Sequence, residues 1–159
     1  MFFGQTNIVH WASSTIMKMI TKLVCLVFYV FCQLYIVKVQ STISSRCLDC
    51  ICFVESGCNE DIHCGDGGAS CGPYQIQYNY WNEGGRHGGS YRSCVSNFEC
   101  AESTIRGYMG RYATRSRLGY NPICKDYARI HNGGPNGYKY GSTLGYWRKI
   151  LKQGCSQFS

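Results

Sequence analysis

The feature that most constrains this sequence is a group of six cysteines within twenty-five residues, at positions 47–71. Crosslinks at this density can hold a short polar segment rigid where no large apolar core is available. Two acidic residues, Glu55 and Asp66, lie inside the group. A pair of carboxylates acts chemically only when its separation is fixed to within about half an ångström. The pattern therefore predicts either a catalytic carboxylate pair on a disulfide frame or a disulfide knot with two solvated acids.

The segment before these cysteines is typical of a secretory leader. Residues 23–37 form an uncharged apolar run, which has the length of a signal-peptide core and is short for a membrane span of roughly 20 residues. We expect cleavage near Ser41, a leader over residues 1–41 and one folded domain over residues 42–159, with an uncleaved membrane anchor as the alternative. Residues 1–16 carry no positive charge, which favours a translation start at Met17 or Met19.

Removal of the leader would leave ten of the twelve cysteines. An even number in a small secreted domain predicts a disulfide framework, here of up to five bridges. Zinc is the competing explanation, but the cluster lacks a second matching pair and the leader directs the chain to an oxidising compartment. We therefore expect a secreted, extracellular protein with no metal and no cofactor. The ten predicted disulfide cysteines are Cys47, Cys50, Cys52, Cys58, Cys64, Cys71, Cys94, Cys100, Cys124 and Cys155.

The net charge gives only a weak indication of the partner. Three lysines lie in the leader, so the formal charge falls from +7 to about +4 on cleavage. A modest positive charge draws a small protein toward anionic surfaces such as bacterial walls, nucleic acid or membranes. Basic runs are no longer than two residues, which gives little support to nucleic-acid binding. We expect no nucleic-acid partner and no stable membrane insertion after cleavage.

Apolar periodicity predicts a largely helical domain with one glycine-rich lobe. The first helix would run over residues 47–55 and end at Ser56 and Gly57. Tyrosine and isoleucine alternate with polar residues over positions 74–80, which predicts a strand. Later helices are predicted around residues 105–112, after an Asn121–Pro122 cap as far as Gly133, and after a Ser142 cap with Leu144, Trp147, Ile150 and Leu151 inside. Helices beside a ribbon lobe that carries Asp66 predict an α+β fold with a cleft.

Several ordered motifs also match a known family. They are Cys-Leu-x-Cys-Ile-Cys-x-x-Glu-Ser-Gly-Cys at 47–58, Ser-Cys-Gly-Pro-Tyr-Gln-Ile at 70–76, Tyr-Met-x-Arg-Tyr-Ala at 108–113, Tyr-Ala-Arg-Ile-His-Asn-Gly-Gly-Pro-Asn-Gly at 127–137 and Ser-Thr-Leu-Gly-Tyr-Trp at 142–147. From Cys47 to about Cys155 the chain resembles the invertebrate-type lysozymes, the destabilase family. The resemblance implies a lysozyme-like α+β fold and a monomeric glycoside hydrolase. Its substrate would be the β-1,4 bond between N-acetylmuramic acid and N-acetylglucosamine in bacterial peptidoglycan.

The resemblance assigns Glu55 as the proton donor and Asp66 as its partner. The residues agree with this asymmetry, because Glu55 follows Ile51 and Val54 on an apolar helix face, whereas Asp66 lies in a glycine loop with free backbone N–H groups. Glycosidases use such unequal carboxylates. One departure is that Asp66 lies five positions before Cys71 where the family usually has six. A one-residue slip can move a carboxylate by about 3.5 Å, so the alternative is a weak or inactive wall-binding protein on the same scaffold.

The loop between Cys64 and Cys71 is also about two residues shorter than is usual in the family. Four cysteine positions usually filled in the family, near Gly84, Thr104, Pro122 and Tyr138, are empty here, so two bridges are expected to be absent.

Some relatives are also isopeptidases, an activity assigned to a loop serine and to the histidine of the His-Asn-Gly-Gly motif. Ser70 and His131 match these positions. The sequence offers no acidic residue to orient the histidine, so the dyad is only half built. The alternative is a loop hydroxyl and a helix-end histidine that interacts with the helix dipole.

Sugar binding calls for aromatic faces and planar polar groups. The candidates for substrate binding are Tyr74, Gln75, Asn132, Gly133 and Gly134. Tyr108 and Tyr112 are expected to belong to the core.

Overall fold

The computed structural model describes residues 6–36 and 42–156. The chain separates into two compact units, residues 1–40 and residues 41–159. The first contains one helix, α1 (Thr6–Ile36). No described helix combines the length and apolar character needed to cross a membrane. The cleavage expected near Ser41 falls outside the described residues.

The second unit is mostly helical, as the α+β prediction requires. Its elements, in chain order, are α2 (Ser45–Ser56), β1 (Ser70–Cys71), β2 (Ile76–Gln77), α3 (Tyr78–Glu83), α4 (Tyr91–Val95), α5 (Phe98–Tyr112), α6 (Arg115–Leu118), α7 (Cys124–Gly133) and α8 (Leu144–Lys152). Single 3-10 turns lie at Asp66–Gly68, Gly137–Lys139 and Gly141–Thr143.

Helix α2 ends where its sequence predicts, but it begins two residues earlier than predicted, at Ser45. The Ser44 hydroxyl accepts a hydrogen bond from Cys47 N at 3.1 Å, which satisfies one of the free N–H groups of the first turn. At the other end Gly57 adopts a left-handed φ of 68°, and its N–H donates to Phe53 O at 2.9 Å. Glycine suits this position because it has no Cβ to clash. Glu55 therefore lies in the last turn of α2, as predicted.

The strand predicted over residues 74–80 is wrong for most of its length. Only Ile76–Gln77 pairs, antiparallel to Ser70–Cys71. Before it, Gln75 has φ 46° and its N–H donates to Gly72 O at 2.9 Å, so the chain makes a tight turn there. After it, α3 begins at Tyr78 because a helix turns Tyr80 inward, where its ring stacks on Tyr108 of α5 with centroids 3.7 Å apart. This long-range contact overrides the local period of two.

Helix α5 confirms the predicted apolar face, but α7 begins later than predicted. The Asn121–Pro122 cap does not form. The helix begins at Cys124, because the buried carboxylate of Asp126, in the first turn, accepts a hydrogen bond from Ile123 N at 3.0 Å. The same carboxylate accepts from Tyr120 OH at 2.9 Å.

Helix α8 corrects two further predictions. Ser142 is exposed, and Thr143 instead donates its hydroxyl to Gly137 O at 2.8 Å before the helix begins. The buried stripe consists of Tyr146, Trp147 and Ile150. Leu144 and Leu151 fall at its edges and are 38% and 45% exposed.

Five disulfides crosslink the second unit. Cys47–Cys124 and Cys50–Cys155 join α2 to α7 and to the chain beyond α8. Cys52–Cys58 closes the end of α2, Cys64–Cys71 closes the loop that carries Asp66, and Cys94–Cys100 joins α4 to α5. These bonds fix α2 and the Asp66 loop, which carry the two acidic residues of the cysteine-rich segment.

At one pair of the positions where the family usually has cysteines, close packing takes the place of a disulfide. Gly84 follows α3, and Thr104 lies in the middle of α5. A Cβ on Gly84 would lie 2.9 Å from Thr104 Cγ2. The bare glycine thus lets the end of α3 approach α5 closely, where the family usually has cysteines.

Candidate active site

One cleft of about 530 Å³ gathers most of the predicted site residues. Its walls come from the end of α2, the loop around Asp66, the ribbon and α3, Tyr108 of α5, and the end of α7 with the residues that follow. The lining residues are Glu55, Asp66, Ser70, Gln75, Gln77, Asn79, Tyr80, Glu83, Tyr108, His131, Asn132, Gly134 and Pro135. Both acidic residues singled out in the sequence therefore line the same cleft.

The Glu55 side chain is mostly enclosed, with 19% of it exposed. Its Oε1 lies 3.6 Å from Nε2 of His131. The charge of Glu55 also reaches the hydroxyls of Tyr80 and Tyr146, and both tyrosines have raised pKa values, chiefly through burial. The sequence identified an aliphatic neighbourhood on the same helix. The structure adds an aromatic and imidazole wall contributed by α3, α7 and α8.

His131 is held neutral inside that wall. Its side chain is 3% exposed, and Nε2 lies 3.0 Å from Tyr74 O. Because a carbonyl only accepts, Nε2 carries the hydrogen, and Nδ1 is left to accept from Tyr80 OH at 3.3 Å. Burial lowers the pKa of His131, although Glu55 and the Tyr74 carbonyl oppose the shift. His131 lies in the last turn of α7, as predicted, and at neutral pH its lowered pKa favours a neutral ring beside Glu55.

Tyr146 places a second polar group beside Glu55. Its hydroxyl is buried and, within the described part of the chain, has no hydrogen-bond partner. Burial and then the charge of Glu55 raise its pKa, so the phenol stays protonated. The hydroxyl is close enough to interact with the carboxylate but lacks the geometry of a full hydrogen bond.

Asp66 is held differently, in an exposed loop of small residues. It begins the 3-10 turn Asp66–Gly68 with a left-handed φ of 50°. The base of the loop is closed by the Cys64–Cys71 disulfide and by the Gly65 N–H, which donates to Ser70 O at 2.8 Å. The carboxylate accepts a hydrogen bond from Ser70 Oγ at 3.0 Å. The shortened loop thus keeps Asp66 on the lining of the cleft.

Ser70 and His131 share the cleft but are not hydrogen-bonded to each other. The Ser70 hydroxyl donates to Asp66 and accepts from Gln77 Nε2 at 3.4 Å. Both ring nitrogens of His131 are occupied by tyrosine groups. The two residues assigned to isopeptidase activity therefore have other partners in this structure.

The five candidates for substrate binding are divided by the structure. Gln75, Asn132 and Gly134 line the cleft. Tyr74 lies in the core instead, 2% exposed, with its hydroxyl donating to Glu102 at 3.1 Å. Gly133 faces away from the cleft, since a Cβ there would meet Thr143 Cγ2 at 2.6 Å.

Sequence reasoning missed the cleft wall formed by β2, α3 and α5. Gln77, Asn79, Tyr80, Glu83 and Tyr108 line the cleft there. Asn79 and Glu83 are four residues apart, so a helix puts both on one face. Because a strand was predicted over residues 74–80, this helical spacing was not considered. Tyr108 was expected in the core. It is buried, yet it still contributes to the lining beneath Tyr80.

Comparisons with known proteins agree with this arrangement. A family model described as Destabilase matches residues 44–153. A lysozyme of Magallana gigas is 48% identical over 118 residues, which cover 74% of this chain and 85% of the relative. The inhibitor-bound lysozyme of Meretrix lusoria matches with a TM-score of 0.67 at 44% identity, over 74% of this chain and 96% of that one. The lysozyme of Tapes japonica matches with a TM-score of 0.66 at 40% identity, over 73% and 95%.

These structures confirm the predicted lysozyme-like α+β fold, and the relatives confirm the resemblance first seen in the motifs. The matched region contains the seven helices α2 to α8 and both strands of the second unit. The chain belongs to the destabilase family, the family of the invertebrate-type lysozymes.

Proposed function

We propose that this protein is a lysozyme that hydrolyses the β-1,4 bond between N-acetylmuramic acid and N-acetylglucosamine in bacterial peptidoglycan. The observation that carries the proposal is one cleft in which Glu55 and Asp66, two of the three carboxylates that line it, lie in unequal surroundings. Glu55 is mostly enclosed by aromatic and imidazole groups, while Asp66 is exposed and accepts a hydrogen bond. Glycoside hydrolysis uses such a pair, one as the acid and one as the charged partner.

In this mechanism Glu55 protonates the oxygen of the leaving sugar. Asp66 lies across the sugar, where its negative charge stabilises positive character at the reacting carbon or attacks that carbon directly. The cleft volume of about 530 Å³ is within the usual range for a ligand site. Side-chain amides of Gln75, Gln77 and Asn132 supply planar donors and acceptors for hydroxyl and N-acetyl groups.

The two alternatives differ in their support. A wall-binding protein without activity was favoured by the short loop, but Asp66 lines the cleft and its carboxylate has a hydrogen-bond partner. The isopeptidase assignment pairs Ser70 with His131 as its base, and the Ser70 hydroxyl donates to Asp66 and not to His131. The hydrogen bonds of Asp66 and the enclosure of Glu55 therefore support the lysozyme proposal over the two alternatives.

We propose further that the protein is secreted and acts as a monomer on bacterial walls. The apolar run over residues 23–37 supports a leader over residues 1–41, with translation from Met17 or Met19, followed by a domain over residues 42–159. The five disulfides support folding in an oxidising compartment. A net charge of about +4 on the domain favours adhesion to anionic walls.

The test compares wall lysis and wall binding by the wild type, Glu55→Gln and Asp66→Asn. Each substitution keeps the shape of the side chain and removes its charge. Loss of the general acid should lower the rate about 10²–10⁴-fold with binding retained, and we expect Asp66→Asn to be nearly as damaging. Glu60→Gln and Asp61→Asn are matched controls, because both residues are exposed and neither lines the cleft.

Three outcomes would change the proposal. A Glu55→Gln protein with more than a tenth of the wild-type rate, well above the expected loss, would remove Glu55 from the mechanism. A wild type that binds walls without cleaving them would favour the wall-binding protein. Release of a γ-glutamyl-lysine product that depends on Ser70 and not on Glu55 would favour the isopeptidase.

A further inference from the structure

We propose that Ser70 and Gln77 act as a positioning pair that aims the Asp66 carboxylate at the reacting sugar. In this pair the Gln77 amide fixes the direction of the Ser70 hydroxyl, and that hydroxyl holds Asp66. The inference rests on the proposed lysozyme function. It concerns how the second carboxylate is held in place, and it assigns Ser70 a role that is not nucleophilic.

The loop around Asp66 offers little else to hold the carboxylate. Residues 66–69 are all exposed, and the Cβ positions of Gly67 and Gly68 would face open space. Ser70 is the first buried residue after them, 4% exposed. Its hydroxyl lies 3.0 Å from Asp66 Oδ2. Of the side chains that the structure describes, it alone is hydrogen-bonded to that carboxylate.

The direction of this hydrogen bond follows from the donors and acceptors present. Gln77 Nε2 lies 3.4 Å from Ser70 Oγ and can only donate to it. The single hydrogen of the hydroxyl is then free for Asp66, and an ionised carboxylate can only accept. The three groups thus form a directed chain from Gln77 through Ser70 to Asp66.

The backbone pairing of the ribbon aligns the three hydrogen-bonded side chains. Ser70 and Gln77 are direct partners in the two-stranded ribbon, so their side chains lie side by side on one face. The Cys64–Cys71 disulfide fixes the strand next to Ser70. The pair is therefore anchored in the disulfide-linked ribbon, while Asp66 projects from a loop whose residues are exposed. A displacement of about 1 Å at a reacting group can cost about 10²-fold in rate.

The first test is steady-state kinetics on a soluble chitooligosaccharide. We expect Ser70→Ala to lower kcat about 10- to 100-fold with KM little changed, because the loss falls on positioning of a reacting group. Gln77→Glu replaces a donor with an acceptor that draws the hydroxyl away from Asp66, so kcat should fall. Gln77→Met leaves the hydroxyl free to donate to Asp66 and should cost kcat less than Gln77→Glu. Ser103→Ala, at an exposed serine of α5, is the matched control.

The second test is a double-mutant cycle with Asp66→Asn. If Ser70 acts through Asp66, Ser70→Ala should change kcat little in the Asp66→Asn background. Multiplying effects would mean that Ser70 acts on the sugar or the fold by itself, which would overturn the inference. A wild-type kcat for Ser70→Ala would overturn it as well.

A crystal structure of Ser70→Ala separates this inference from the proposed function. We expect the Asp66 carboxylate to leave the position seen in the wild type. If it stays in place, the positioning pair is wrong whatever the activity. A wild type that cleaves neither walls nor chitooligosaccharide would overturn the proposed function instead, and the Asp66 position in the two crystal structures would still decide the geometric claim.

Discussion

Replacing His131 with phenylalanine tests whether this histidine builds the wall beside Glu55 or performs chemistry itself. Phenylalanine keeps an aromatic ring and removes both ring nitrogens. The Tyr74 carbonyl and the Tyr80 hydroxyl then lose their partner at a side chain that is 3% exposed. A buried polar group without a partner costs about 1–3 kcal/mol. Two such groups should lower the free energy of unfolding by about 2–6 kcal/mol, against a total of about 5–15 kcal/mol for a typical domain.

The assay is equilibrium unfolding in guanidinium chloride at pH 8 without reductant. At this pH His131 is neutral in both the folded and the unfolded state, so titration does not contribute to the difference. His131→Gln should cost about half as much, because its amide can still donate to the Tyr74 carbonyl. His63→Phe, at an exposed histidine, should stay within about 0.5 kcal/mol of the wild type.

One result would refute this reasoning. If His131→Phe unfolds within the range of an ordinary surface substitution, about 0.5 kcal/mol, the two hydrogen bonds do not carry the stability assigned to them. Should that stable variant also lose isopeptidase activity while keeping lysis, His131 would be a catalytic residue of the second activity.

Three further predictions concern pH and crosslinking. Lowering the pH below 6.5 should reduce the free energy of unfolding by up to about 1.4 kcal/mol per pH unit. The reason is that the unfolded chain protonates His131, whereas burial lowers the pKa of this residue in the folded state. The contribution of His131 to this slope should vanish in His131→Gln. Raising the pH above 10 should also destabilise the fold, since burial raises the pKa values of Tyr80 and Tyr146 and only the unfolded chain ionises there; phenolate absorbance should rise together with loss of helical circular dichroism. Removing the Cys50–Cys155 disulfide with a double alanine substitution should cost about 3–4 kcal/mol by thermal or guanidinium unfolding, because Cys47–Cys124 still joins the same two parts of the chain and shortens the loop that is opened. A flat pH profile on either side, or a double variant as stable as the wild type, would contradict these expectations.

The sequence by itself determined the frame of the molecule. Dense cysteines, the Ser-Gly end of α2 and the periodicity of α5 are local signals, and each specifies a structure through its own neighbours in the chain. They were enough to put Glu55 in the last turn of a helix and Asp66 in a glycine loop. The motifs added the family, and with it the fold.

Tertiary structure decided what surrounds the two carboxylates. Alternation over residues 74–80 predicted a strand, yet Tyr80 stacks on Tyr108 and the segment from Tyr78 is helical. In this helix Asn79 and Glu83 both line the cleft. Tyr74 is buried in the core, where its hydroxyl donates a hydrogen bond to Glu102 in α5. A periodic pattern identifies which face of a segment is buried, but it does not identify the partner on the other side of that face.

The chemical state of the site also came from the folded structure, through distant contacts at His131 and through the turn of the ribbon at Ser70. The pKa of His131 is lowered because the ring is buried beside Tyr80 and the Tyr74 carbonyl, and Ser70 donates to Asp66 because the ribbon brings Gln77 beside it. Protonation and hydrogen-bond direction depend on distances of a few ångströms between groups that the fold brings together. These distances are fixed by packing and crosslinks, and local residue spacing contains no record of them.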